Sequence, residues 1–186
     1  MPERFILDAN VLYSARLRDL FLQLRRDRVA LVYWTDRIEE EWTTALVANR
    51  PELQDAVERT AEAIRSAFPS GYIAQELIDP VAFGLPDPKD EHVAQAALTV
   101  SGHIVTLNTS DFPARLFAPH ALEAVTPDVA LLKMVEADPE GVLSAVRTIC
   151  SRLRNPPVSM AAYLEGLAAA GCPEFGARVR VLVQAG

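Results

Sequence analysis

Apolar residues in this chain gather into short continuous runs separated by longer stretches of helical period. Phe5, Ile6 and Leu7 lie in a run over residues 4–8 that predicts a short buried strand, and the segment from Val11 to about residue 27 has the spacing of a helix. Val29 to Trp34 is a second apolar run. Thr35 or Asp36 caps a helix through about Asn49, and Pro51 opens another that runs to about Phe68. Pro69-Ser70-Gly71 breaks it, and an irregular, proline-rich passage follows from Ile78 to Pro88. A helix from about Lys89 to Val100 ends at Ser101-Gly102, a C-cap signal. His103 to Leu107 is a further buried strand, Asp111-Phe112-Pro113 starts a short helix, and Leu122 to Val125 is a last strand.

Strands separated by helices predict an α/β fold with a central, mostly parallel sheet flanked by helices. After Thr126-Pro127 the texture changes. Only helical patterns remain, broken at Asn155-Pro156-Pro157 and Gly171-Cys172-Pro173, with Ser159 capping Met160–Ala170. The chain therefore divides into residues 1–127, an α/β domain, and residues 128–186, an all-helical C-terminal extension marginal as an independent domain.

Composition narrows the classes. Half of the 186 residues are hydrophobic and 23% are charged, which is globular and not disordered. No apolar run approaches the length of a membrane span and the N-terminus lacks a signal pattern, so a soluble, cytoplasmic protein without membrane contact is expected. Two cysteines, Cys150 and Cys172, stand far apart, and the three histidines have no ligand spacing. Oxygen-ligand cations are left as the metals to consider. The net charge of −7 argues against a broad electrostatic nucleic-acid binder. It is unevenly spread, because residues 1–127 hold 12 basic and 19 acidic side chains and the remainder hold six of each.

Four acids are candidates for one site. Asp8 follows the first strand, at the edge where open α/β sheets bind ligands, although Asp8 or Asn10 would also suit a plain helix cap. In the next helix the apolar stripe is Ile38, Trp42, Ala45 and Leu46. Glu41 shares that stripe while Glu39 and Glu40 point progressively away, and a carboxylate so placed is costly unless paired or bound to a cation. Asp90 projects from the first turn ahead of the stripe Val93, Ala96, Ala97 and Val100, with Asp87 the plainer cap and His92 unassigned. Asn108 and Asp111 lie just past the strand 103–107, in what would otherwise be an Asx turn. Like charges about 4 Å apart repel by roughly 4 kcal/mol at an effective dielectric near 20, so such a cluster holds protons or cations. Hard oxygen ligands suit Mg²⁺ or Mn²⁺, whose usual chemistry is phosphodiester hydrolysis. Arg16, Arg18, Arg25, Arg26 and Arg28 give the first helix five positive charges, suited to phosphate or to a solvated face with internal ion pairs.

Ile-Leu-Asp8-Ala-Asn10-Val-Leu, Ile38-x-x-Glu41-Trp42, Asp90-x-x-Val-Ala-x-Ala-Ala and Val-Thr106-x-Asn108-x-x-Asp111-Phe-Pro, in that order, resemble the PIN-domain nucleases, and among them the bacterial VapC-type toxins. The resemblance covers about residues 4–126. The tail, with Asn155-Pro156-Pro157-Val158-Ser159 and then Tyr163-Leu164-x-x-Leu167, is similar to an extension carried by a subset of these toxins. The resemblance implies a three-layer PIN-like fold and a divalent-metal-dependent endoribonuclease acting on RNA. It also implies Mg²⁺ or Mn²⁺ held by an acidic quartet, usually a homodimer, and inhibition by a cognate antitoxin protein. By position, Asp8, Glu41 and Asp90 match the core acids, Asp111 or Asn108 fills the fourth place, and Asn10 and Thr106 match positions that orient ligands or waters. Two other readings stay open. An aspartyl-phosphate phosphatase also starts with an aspartate after its first strand but wants a second acid where this chain has Asn10. A catalytically silent PIN-like module would bind RNA or a partner protein only.

Overall fold

The structure, a computed structural model, describes residues 2–185. Its five strands, β1 (Arg4–Leu7), β2 (Leu31–Thr35), β3 (Tyr72–Ile73), β4 (His103–Val105) and β5 (Ala124–Val125), form one sheet in the order β3-β2-β1-β4-β5. All four neighbouring pairs are parallel. β1 is central, with Ile6 opposite Tyr33 of β2 and Ile104 of β4. Phe5, Ile6 and Leu7 have no exposed surface, and this is why β1 is continuously apolar where a half-exposed strand would alternate.

Helices α1 (Ala9–Tyr13), α2 (Ala15–Arg26), α3 (Asp36–Asn49), α4 (Gln54–Ala67), α5 (Glu91–Val100) and α6 (Ala114–Phe117) join the strands, and α7 (Pro127–Ala137), α8 (Pro139–Arg152), α9 (Met160–Ala169) and α10 (Pro173–Ala185) follow the last one. The α/β architecture with C-terminal helices is thus present, with a wholly parallel sheet. Three local expectations change. The first helix is two, because Ser14 adopts an extended conformation (ψ 109°) between α1 and α2. The two-residue strand β3 lies where the sequence shows only a helix break, since two residues are too few to register a period. Ser101, not Gly102, takes the left-handed conformation that ends α5. Gly102 serves close approach instead, since a Cβ there would sit 2.8 Å from the Arg4 carbonyl oxygen and block β4 from lying beside β1.

The C-terminal helices are not a separate core. α8 packs on α2, and α10 packs on α9 and α7. Leu131, Val146, Leu164 and Phe175 belong to the same buried cluster as Phe5 and Ile104. Capping ties the ends down. Thr126 accepts from the Val129 N–H at the start of α7, and Ser159 accepts from the Ala162 N–H at the start of α9. Asp128, in the first turn of α7, accepts from the N–H groups of Glu174 and Phe175 at 3.2 and 2.8 Å, and so caps a different helix, α10. Among the described residues, no helix is long and apolar enough to cross a membrane.

Because Asp128 satisfies two otherwise unpaired N–H groups across 46 residues of chain, Asp128→Ala is expected to lower stability by about 0.5–2 kcal/mol. Urea unfolding of the full chain measures it.

Candidate active site

Asp8 leaves β1 and enters α1 as its N-cap, with Oδ1 accepting the Ala9 N–H at 2.7 Å. Its other oxygen, Oδ2, accepts from Thr106 Oγ1 and from Asn10 Nδ2, both at 2.7 Å. Asn10 Nδ2 also reaches Thr106 Oγ1 at 3.0 Å, and Asn10 Oδ1 accepts the Leu107 N–H at 3.0 Å. Thr106 is fully buried at the end of β4, and its oxygen takes the Asn108 N–H at 3.1 Å. Asp8, Asn10 and Thr106 therefore form one clasp across the carboxyl ends of the two central strands. Cap and candidate ligand are the same residue, because capping uses Oδ1 through one lone pair only.

The other acids approach this clasp from three directions. Glu41, midway along α3, lies near enough to Asp8 for its charge to raise the Asp8 pKa. Asp90 closes the 3₁₀ turn Pro88–Asp90 and is the N-cap position of α5, where its side chain makes no capping bond. Asp111 closes the 3₁₀ turn Thr109–Asp111 beyond β4, and Asn108 Nδ2 donates to its Oδ2. Asn108 thus braces Asp111, and Asn108 Oδ1 accepts from Ser110 Oγ at 2.7 Å.

Electrostatics tie the group together. Burial raises the Asp8 carboxyl above its ordinary 3.8, with Glu41 pushing the same way and the Thr106 and Ala9 hydrogen bonds pulling against. Asp90 is raised to about 6, by desolvation first and then by the charges of Asp8, Asp111 and Asp87. Partial burial raises Glu41, yet His92 and Arg37 outweigh it and hold this acid below its usual value. His92 Nε2 and Arg37 Nε both donate to Glu41 Oε1, each at 3.1 Å.

Two expectations about α3 and α5 need correction. Glu39, expected to point away from the core, is buried. It takes the indole N–H of Trp34 at 3.3 Å and pairs with Arg65 of α4. Glu41 is half-buried and Ala45 is exposed, so the buried line of α3 is Ile38 and Trp42 with an acid on each shoulder. Glu39 faces β2 and α4 while Glu41 faces α5, a choice made by packing partners that the periodicity of α3 alone does not contain. His92, to which the sequence assigns no role, is buried on α5, and its i+4 spacing to Ala96 is the signal that marks it. The arginines of α2 are largely engaged within the fold. Arg18 lies over Trp42, Arg25 over Tyr33 and Arg26 over Phe68.

Among the described residues, no three Asp, Glu, His or Cys side chains stand around one point closely enough to hold an ion as they are placed. The donor set nonetheless fits a hard divalent cation. Among the described residues Asp90 makes no side-chain hydrogen bond and one oxygen of Glu41 has no partner, and Asp8 Oδ1 keeps a lone pair. Mg²⁺ takes one or two carboxylates and keeps several waters, so a cluster wider than one coordination shell accommodates it. A groove of about 950 Å³ between α3 and α4, lined by Glu39, Val57, Glu58, Ala61 and Arg65, contains none of the four acids. Its buried carboxylate is already neutralised by Arg65, so the site chemistry lies elsewhere.

Residues 127–181 match the family model described as the VapC50 C-terminal domain. The C-terminal region is therefore similar to the C-terminal domain of VapC50. No curated protein and no solved structure matches the chain. The VapC-like segment begins with α7 and contains none of Asp8, Glu41, Asp90 or Asp111.

The Asp90 shift fixes a pH dependence. In the unfolded chain Asp90 titrates near its ordinary 3.8, and in the folded protein near about 6, so the folded state holds the extra proton between these values. The stability it contributes is complete below about pH 4 and is lost as pH rises through about 6. In the presence of a chelator, Asp90→Asn is expected to melt above the parent at pH 8, with the gap closing toward pH 4. Thermal melts of both proteins over that range measure it.

Proposed function

We propose that the protein is a divalent-metal-dependent endoribonuclease of toxin type, with residues 1–127 as its PIN-like nuclease domain and residues 128–186 as a helical extension. The observation that carries the reading is a set of carboxylates at the carboxyl edge of a parallel sheet, in which the charge of Glu41 raises the proton affinity of Asp8 and the charges of Asp8 and Asp111 raise that of Asp90. Such a set is poorly matched to its own company and well matched to Mg²⁺ or Mn²⁺. The VapC-like tail supports the toxin family independently of those residues.

Asp8, Asp90, Glu41 and Asp111 would hold the ion or ions, and a bound divalent cation supplies an activated water and charge stabilisation at the phosphodiester. Thr106 and Asn10 fix the Asp8 carboxylate through Oδ2, leaving Oδ1 directed by α1. Asn10 is committed to this clasp, which leaves it no part in the acid chemistry of an aspartyl-phosphate phosphatase. Asn108 steadies Asp111 as the fourth acid. RNA is the substrate, and a cognate antitoxin and a second copy of the chain are the partners this reading brings with it.

The spread of the acids favours a second reading, a PIN-like module that binds RNA or a protein without cutting. One experiment separates the two. Cleavage ends on total cellular RNA are mapped with Mn²⁺ or Mg²⁺ for the parent and for Asp8→Asn. Metal-stimulated ends that fall by at least about 100-fold in Asp8→Asn support the nuclease, an expected size for a group that organises the reacting centre. RNA binding without metal-stimulated cleavage over a wide Mn²⁺ range supports the silent module, and equal cleavage by the variant would falsify the assignment of Asp8.

A further inference from the structure

His92 occupies the buried face of α5, two residues after Asp90, with only 6% of its surface exposed. Its two ring nitrogens are in opposite situations. Nε2 donates to Glu41 Oε1 at 3.1 Å, whereas Nδ1 is buried without a hydrogen-bond partner among the described residues. A neutral imidazole carries its proton on the nitrogen that has an acceptor, so Nε2–H is the donor and Nδ1 an unsatisfied lone pair. An orphaned buried acceptor disfavours the folded state, and an apolar side chain of similar size would avoid it. The histidine is therefore a poor choice for packing alone.

What the histidine does is hold one oxygen of Glu41. Arg37 holds the same oxygen from the other side, while its Nη2 donates to the Lys89 carbonyl at 2.9 Å, immediately before Asp90. The two donors link α3, which carries Glu41, to the start of α5, which follows Asp90. They occupy Oε1 and leave Oε2 without a partner among the described residues. Arg37 is exposed at the surface, whereas His92 is buried, as are Val93 and Ala96 of the same helix.

We propose that His92 is a positioning residue for the metal centre: its Nε2–H fixes the Glu41 carboxylate with one oxygen occupied and the other free for a divalent cation. The role rests on the metal-dependent reading above. It requires no contact between His92 and the ion or the RNA, and no change in the charge of the imidazole. Hydrogen-bond partners of ligating carboxylates orient them and strengthen metal binding, and their loss typically weakens affinity by about 10- to 100-fold.

The test is Mn²⁺ binding by isothermal titration calorimetry on the full chain, with metal-free melting temperatures measured in parallel. His92→Leu removes the donor and the orphaned acceptor together. It is expected to melt no lower than the parent and to bind Mn²⁺ about 10- to 100-fold more weakly. His92→Gln, whose amide N–H can reach the same oxygen, is expected to recover most of that affinity, and His92→Asn, with a shorter reach, is not. In a Glu41→Gln background, His92→Leu should have no further effect, because the histidine acts through Glu41. His92→Leu binding Mn²⁺ as the parent does overturns the role. Should His92→Leu not fold, equal affinities of the Gln and Asn variants overturn it instead. A parent protein that takes up no Mn²⁺ overturns the metal reading itself, an outcome distinct from either of these.

Discussion

The Thr106 hydroxyl, wholly buried where β4 ends, is the contact on which the rest of the site depends. It donates to Asp8 and receives from Asn10 and from the Asn108 backbone, so one atom registers the first strand, the fourth strand and the loop that carries Asp111. The parallel pairing of Leu7 with Val105 sets the two strand ends level, and the clasp then turns that alignment into a fixed carboxylate direction. Each polar atom of the clasp has a partner, so its burial costs little, while the same atoms left unpaired would each cost about 1–3 kcal/mol.

Around this satisfied centre the protein keeps an unsatisfied ring. Among the described residues Asp90 has no donor, and burial first and then three acidic neighbours raise its proton affinity, whereas Glu41 has two donors and is held in its ionised form. The contrast follows from position. Asp90 sits at the entry of α5 with Asp8, Asp87 and Asp111 about it, but Glu41 lies on the shoulder of α3 that meets His92 and Arg37. Charge repulsion of this kind lowers the stability of the metal-free fold and is relieved by a proton or a cation. Glu39, only two residues from Glu41, shows the other outcome, a buried acid permanently neutralised by Arg65 and closed off from such chemistry.

The C-terminal helices bear on the site through the scaffold. α8 lies against α2, which follows directly from α1 and hence from Asp8, and the tail shares its buried cluster with the central strands. Gly171, at φ +96°, turns α9 toward α10 beside Leu107, the residue whose N–H is fixed by Asn10. The VapC-like segment therefore lies beside Leu107 as well as packing into the buried cluster.

The run Phe5-Ile6-Leu7-Asp8, the capped helices and the strand before Thr106 were legible in the chain because each is a local pattern, a period or a cap written in neighbouring residues. From them the parallel sheet and the edge that carries Asp8, Asp90 and Asp111 followed. The sequence did not determine that Ser14 divides the first helix or that β3 exists, since each is decided by one or two residues under tertiary pressure. Nor did it determine which shoulder of α3 is buried. Periodicity assigns residues to faces of a helix, but Glu39 was drawn in by Trp34 and Arg65, and Glu41 was met by His92, through contacts 26 and 51 residues away in sequence. Composition and spacing alone could name the acids. Only the packing of α3, α4 and α5 around the sheet decided which were neutralised, which were braced, and which were left with charge that a cation could answer.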